Sequence, residues 1–335
     1  MVKIMNKTLI NASAAREGGA LAIVEEYVKH HDNDGVQYIL LSPIKPKQLP
    51  SNFLWKYVET KGISTILFAI FFVVFYVKKY NATKIISFSN VNLFFTCIEK
   101  VTYFHNFLIL NDASTRFVLI KECLKVFGKV RQRYIFQTRF VYSEFCKEIF
   151  VPSLYNIAWP GVKSIVDGVD EKNNELLRVN GKIQVLVPIV DLNNKNKNID
   201  LLYSVISRYG FSEIEFNVTA PPPNNSLGSF SNVKFLGKLS KEEYIEQLLL
   251  SNAVLVLSFY ETVCLPIFEA LSVGKLALVY ERDYVKSFFD DFGEIKGLMT
   301  FIDIDDFKDK LESLEGLKNN HYKINPEILI GNWEF

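Results

Sequence analysis

Charge imbalance, paired cysteines and a membrane-length apolar span are all missing from this chain, and each absence removes a class of protein. The 335 residues carry 38 Lys and Arg against 37 Asp and Glu, a net charge of +1. Nothing global therefore attracts nucleic acid. The four cysteines, Cys97, Cys123, Cys146 and Cys264, include no C-x-x-C pair, so neither a zinc site nor a disulfide framework is suggested. A reducing, cytoplasmic compartment fits best. Met1 to Lys7 lacks the long apolar core of a signal peptide. One run, Ile63 to Val77, is apolar except for Ser64, Thr65 and Tyr76. It is shorter than the roughly 20 residues a spanning helix needs, and a buried core helix is preferred over a membrane-dipping segment.

What is present suggests two α/β domains. Apolar residues make up 49% of the chain, enough for two cores, and the length is that of about two domains. The first half reads as strands at 7–12, 37–41, 84–88, 101–104 and 139–142. Helices are expected at 20–30 and 117–127, with a further helix starting at Ser143 as N-cap. The pattern resets near Pro160. The second half reads as strands at 182–187, 213–218, 233–236, 253–257 and 276–280. Helices fall at 199–209 and at 241–250, the latter capped by Ser240. A rigid loop is expected at Pro221 to Asn225. Strands alternating with helices imply parallel sheets. The fold expected is two Rossmann-like, doubly wound domains facing a cleft. Residues 1–165 form the first, 166–181 a linker, 182–318 the second, and 319–335 a tail returning to the first.

The most informative feature is a pair of glutamates, Glu261 and Glu269, enclosing Thr262-Val263-Cys264-Leu265-Pro266-Ile267-Phe268. A strand precedes them, and a short helix closed by Gly274 follows. Pro266 suits the first helical position, where its missing N–H costs nothing. Glu261 then lies in the loop and Glu269 in the first turns. Free backbone N–H groups near Val263, Cys264 and Leu265 would point out of the helix start, a natural phosphate site. A carboxylate within the helix can accept from two vicinal ribose hydroxyls, and one in the loop from a sugar hydroxyl. The same pair also reads as ordinary charges at a helix N-terminus.

Ser258 to Ala270 resembles the E-x7-E donor motif of retaining, GT-B-fold nucleotide-sugar glycosyltransferases. It is most similar to the bacterial group 1 family that builds lipopolysaccharide O-antigen and capsule. Upstream, Val233 to Ser240 resembles that family's strand-Gly-loop, where the base lies, which brings in Gly237 and Leu239. Gly18-Gly19 resembles its glycine loop, Tyr103-Phe104-His105-Asn106 its His-Asn segment, and Phe140 to Phe145 its last N-domain strand and helix start.

The resemblance implies that Glu261 contacts the donor sugar and Glu269 the ribose. Thr262, Val263, Cys264 and Leu265 would line the donor loop. Gly18 and Gly19 would let backbone approach the diphosphate or acceptor, and His105 would hydrogen-bond the sugar near the reacting carbon. Lys197, with Lys195, would sit on the diphosphate. Two departures stand out: the Arg that many members carry early in the 188–198 loop is absent, and Cys264 stands where many have Gly. No D-x-D lies in a suitable loop, Asp303-Ile304-Asp305 coming after the motif. No metal and no cofactor are therefore expected. Retention of configuration is expected from the family alone.

Lys121, Lys125 and Lys129 recur every four residues beside Ile120, Leu124 and Phe127. Such a stripe suits an anionic membrane surface, or equally a solvated helix face. A polyprenyl-diphosphate-linked glycan acceptor, met at the cytoplasmic face of the inner membrane, would explain it. Three readings compete with glycosyl transfer: an inactive sugar-nucleotide-binding protein, a sugar-nucleotide epimerase, and a polysaccharide-export scaffold.

Overall fold

A computed structural model of the chain describes residues 7–94, 97–129, 131–162, 178–179, 181–223, 230–316 and 324–335. It divides into two compact units, Met1–Pro160 with Gly331–Phe335, and Gly161–Ile330.

Unit 1 runs β1 (Lys7–Asn11), α1 (Gly18–His30), β2 (Gln37–Ser42), β3 (Phe53–Tyr57), α2 (Ile63–Leu67), α3 (Val74–Tyr80), β4 (Lys84–Ser87) and β5 (Glu99–Phe104). It continues with α4 (Leu108–Asn111), α5 (Thr115–Phe127), β6 (Arg133–Phe136), α6 (Arg139–Glu148) and β7 (Tyr155–Ile157). All seven strands are parallel, in the order β3-β2-β1-β4-β5-β6-β7. Parallel pairing needs crossover helices, which cover both sheet faces. The central strands therefore read as near-continuous apolar runs: Leu9, Ile10, Leu40, Leu41, Ile85 and Ile86 are buried. The direction of winding reverses between β1 and β4. At the chain's end, the Trp333 ring packs against Tyr27 and stacks on Tyr103, at centroid distances of 6.2 and 6.0 Å.

Two expectations are corrected here. Arg139 to Tyr142 is not a strand but the first turn of α6. Thr138 caps that helix, its side chain accepting from the Val141 amide at 3.2 Å, so Ser143 lies inside it. The strand is β6, one element earlier; Phe140, Val141 and Tyr142 are strand-prone residue types. Second, the run from Ile63 is only half buried. A π-helical turn, Phe68–Phe72, joins α2 to α3, and the helix axis bends there by 42°. Among the described residues no single helix is long and apolar enough to cross a membrane. On α5, two of the three stripe lysines are paired. The Lys121 ammonium donates to Glu148 (2.6 Å) and to the Leu110 carbonyl (2.9 Å), and Lys125 to Glu122 (2.8 Å).

Unit 2 runs β8 (Arg178–Val179), β9 (Lys182–Val187), α7 (Ile199–Tyr209), β10 (Ile214–Val218), β11 (Val233–Phe235), α8 (Lys241–Leu250) and β12 (Ala253–Val256). Then come α9 (Leu265–Ser272), β13 (Leu276–Tyr280), α10 (Asp283–Phe292), β14 (Leu298–Phe301), α11 (Ile304–Gly316) and α12 (Pro326–Leu329). Six parallel strands follow the order β11-β10-β9-β12-β13-β14, and β8 adds an antiparallel pair to β9. Most of the expected linker, and Asn224-Asn225 of the Pro-rich loop, lie outside the described residues; the linker's last part forms β8. Here the winding reverses between β9 and β12, the place where open α/β sheets bind ligands, beyond the strands' carboxyl ends. Val185, Val187, Ala253 and Leu255 belong to the core on which the sheet's helices pack.

Candidate active site

Lys197 follows β9 and Glu261 follows β12, so the two strands flanking the switch point deliver the two charges. Lys197 ends a short 3-10 turn, Lys195–Lys197, whose start is capped by the Asn194 side chain on the Asn196 amide (3.1 Å). The Lys197 ammonium donates to Glu261 Oε1 at 2.6 Å, with both side chains mostly buried. Burial alone would lower the Lys197 pKa. The Glu261 carboxylate outweighs burial, and the net shift is upward, so Lys197 stays charged. Lys195 lies on the exposed side of the turn and is not part of this pair.

Asn196, between the two lysines, ties the loops together. Its carbonyl accepts from the Phe259 amide (2.9 Å). Its side chain accepts from the Tyr260 amide (2.9 Å) and donates to the Tyr260 carbonyl (2.9 Å). This clamp fixes the backbone immediately before Glu261. Sequence reasoning missed it, because Asn196 and Tyr260 are 64 positions apart.

Helix α9 starts at Leu265, with Pro266 in its first two positions and Cys264 as N-cap at φ 55°. A left-handed backbone costs a residue with a Cβ roughly 1 kcal/mol, which explains why Gly is natural here. The first local bond runs from the Ile267 amide to the Cys264 carbonyl, at 3.0 Å. The amides of Val263, Cys264 and Leu265 precede it, at the positive end of the helix dipole. Thr262 and Val263 complete the turn, Val263 being buried. The Cys264 thiol is pushed well up by burial and then by Glu261, so it stays protonated and is no nucleophile.

Glu269 lies one turn into α9, facing α8. Burial raises its pKa, while the Tyr244 hydroxyl and the charge of Lys241 pull the other way. Both partners belong to the start of α8. That helix carries a full capping box: Ser240 Oγ accepts from the Glu243 amide (3.2 Å), and Glu243 accepts from the Ser240 amide (2.7 Å). Gly237, at φ 79°, turns the chain from β11 toward this cap, with Leu239 half-buried beside it. The expected base loop and the expected ribose carboxylate therefore sit on neighbouring helices.

Two further residues from β13–α10 border the loop. The Tyr284 hydroxyl donates to the Ser258 carbonyl at 3.3 Å. The Arg282 guanidinium lies 3.9 Å from the Tyr280 ring centroid and 5.2 Å from that of Phe259. Among the described residues its Nε has no hydrogen-bond partner. A cation resting on two rings, beside the loop that carries Glu261, went unread in the sequence. Its only signal was Arg282 falling just past a buried strand.

In unit 1 the expected residues also gather at the sheet's carboxyl edge. Gly18 opens α1 at φ 61°, with nothing within 4 Å of the place a Cβ would occupy, and Gly19 follows inside the helix. The loop before them is held by Asn11, which accepts from the Ser13 hydroxyl (2.9 Å), and by Thr60, which donates to that hydroxyl (3.1 Å). His105 follows β5. Its amide and that of Asn106 both donate to Asn90 Oδ1, at 2.9 and 3.2 Å, and Asn90 itself has φ 64°. Burial pushes the His105 imidazole down to about 4, so it is neutral at pH 7.

Residues 225–326 match the family model of glycosyl transferases group 1. No curated protein matches the chain in sequence. Solved structures share the fold at low identity. Sucrose-phosphate synthase from Thermosynechococcus elongatus superposes with a TM-score of 0.70 at 12% identity, over 93% of this chain and 90% of that one. WaaG, a glycosyltransferase involved in lipopolysaccharide biosynthesis, gives 0.67 at 13%, over 93% and 90%. Anabaena Alr3699/HepE in complex with UDP-glucose gives 0.66 at 12%, over 92% and 90%. The two Rossmann-like units thus define the GT-B class of glycosyltransferase fold. The chain shares the fold of these glycosyltransferases, and its 225–326 segment matches the group 1 glycosyl transferase model.

Proposed function

We propose that the chain transfers a sugar, with retention of configuration, from a nucleoside-diphosphate sugar to a polyprenyl-diphosphate-linked glycan during lipopolysaccharide O-antigen or capsule assembly. The observation that carries the donor half is the Lys197–Glu261 salt bridge, locked by Asn196 against the start of α9 at the switch point. The complex of HepE with UDP-glucose supports a nucleotide-sugar donor, and WaaG's role supports lipopolysaccharide as the setting.

In this reading the diphosphate lies on the amides of 263–265, with Lys197 and Arg282 as its cations. Arg282 supplies from β13 the charge that the β9 loop lacks. As the sugar C1–O bond breaks, negative charge grows on the departing phosphate oxygen, which fixed donors stabilise. The acceptor oxygen bonds C1 on the face the phosphate leaves, and its proton passes to that phosphate. Glu261 holds a sugar hydroxyl, Glu269 the ribose diol, and Gly237 and Leu239 border the base. Gly18, Gly19 and neutral His105 serve the sugar and acceptor from unit 1. The protein would work without a metal, at the cytoplasmic face of the membrane.

Incubating the protein with a panel of nucleoside-diphosphate sugars, with and without a lipid-linked acceptor, tests this by mass spectrometry. Glycosylated acceptor is expected, undiminished by chelator. A new sugar nucleotide formed without acceptor would indicate an epimerase. No turnover of any donor would indicate an inactive binding protein.

A further inference from the structure

The least expected surface of the molecule is the outer face of the bent helix at 63–80. Ile63, Leu67, Phe71, Phe72 and Phe75 are each between 41 and 66% exposed. In a regular helix Phe71 and Phe72 would diverge by about 100°. The π-helical turn, closed by the Val73 amide on the Phe68 carbonyl (2.9 Å), leaves both phenyl rings exposed. The opposite face, Ile66, Ala69, Ile70, Val73 and Val77, is buried in two clusters of unit 1's core. The helix is thus pinned along its length. Spanning a bilayer would strip this face from the core, so the outer row is the part offered to a surface.

Charge selects the occupant. Lys61 stands exposed before the row, and Lys78 and Lys79 stand exposed at its end. No Asp or Glu occurs between Glu59 and Glu99. Two copies meeting face to face about a two-fold axis would bring these lysines together, which opposes self-association. An anionic bilayer suits both features: the row enters the acyl boundary while the lysine stems extend to headgroup phosphates. We infer that residues 61–79 form an in-plane membrane-docking element for anionic phospholipid. It takes the role expected of α5, whose Lys121 and Lys125 are already engaged by Glu148 and Glu122. It places the proposed lipid-linked acceptor's surface on unit 1, but its test needs no sugar chemistry.

The test is flotation of the full chain with phosphatidylcholine vesicles, with and without phosphatidylglycerol. Wild type is expected to float with the anionic vesicles and less so at high salt. A Phe71→Ser, Phe72→Ser, Phe75→Ser variant should lose binding about tenfold or more with its melting temperature unreduced, since these rings face outward. Lys61→Glu, Lys78→Glu, Lys79→Glu should lose the preference for anionic lipid, whereas Lys121→Glu, Lys125→Glu, Lys129→Glu should float like wild type. A Phe75→Trp variant should be quenched by brominated lipid. The inference is overturned if wild type does not float or if the Phe variant floats unchanged. It is equally overturned if binding follows the α5 lysines, or if wild type is a dimer that the Phe variant separates.

Discussion

At the carboxyl edge of unit 2 the loops carry Lys197, Glu261 and Arg282; at the matching edge of unit 1 they carry Gly18, Asn90 and a neutral His105. Both sheets reverse their winding once, and both place candidate residues beside that reversal. Unit 2 fills its edge with fixed charge, cross-linked between the two switch-point loops. Unit 1 uses amide side chains to hold backbone, and the Arg16–Glu59 ion pair there belongs to the loop support. A diphosphate needs cations and amides, whereas neutral hydroxyls need uncharged donors and acceptors. In the proposed reading, the difference assigns donor chemistry to unit 2 and acceptor chemistry to unit 1.

The largest effect expected falls on the charged edge. Lys197→Ala should lower kcat by about 10²- to 10³-fold, the usual cost of one oxyanion donor. Steady-state transfer assays check this, and a loss below tenfold would break the contrast. Next comes Glu269→Ala, which should weaken donor binding by about ten- to a hundredfold, as for a charged hydrogen bond. It should also abolish discrimination between ribo- and 2′-deoxyribonucleotide donors, read by calorimetry.

The neutral edge is tested by pH. The folded His105 pKa, about 4, lies below the ordinary 6.5. As pH falls below 6.5 the unfolded chain takes up a proton that the folded chain refuses. Stability from this group is therefore complete above pH 6.5 and lost on the way down to pH 4. The loss is on the order of 2 kcal/mol, allowing for partial solvent screening. Urea unfolding of wild type and His105→Gln across that window should show it, the variant having the flatter profile. The smallest effect sharpens the comparison: Asn196→Ala removes two side-chain hydrogen bonds, about 1 kcal/mol each. It should raise the donor KM several-fold with little change in fold, seen by kinetics and circular dichroism.

Much of this was legible in residue order because the deciding interactions are local. Ser240 and Glu243 are three apart, and their capping box forms. The apolar run at 253–257 becomes a buried central strand, and Pro266 lies in the first turn of α9. Two stacked α/β series gave the fold class. What escaped was set by distance or by context. The Asn196 clamp spans 64 residues, and nothing in its neighbours announces it. Arg282 gains meaning only beside Phe259, which arrives from another strand. Phe140 to Tyr142 are strand-prone residue types, yet Thr138 caps the segment into a helix. The run at 63–77 has the composition of a core helix, and composition cannot tell which side faces out.

The central claim is that the unit 2 switch point grips a nucleoside diphosphate sugar, and isothermal titration calorimetry tests it most directly. Wild type should bind one nucleoside diphosphate and its sugar conjugate from a base panel, with Lys197→Ala and Glu269→Ala each at least about tenfold weaker. Binding of that nucleotide with unchanged affinity by both variants would contradict the account.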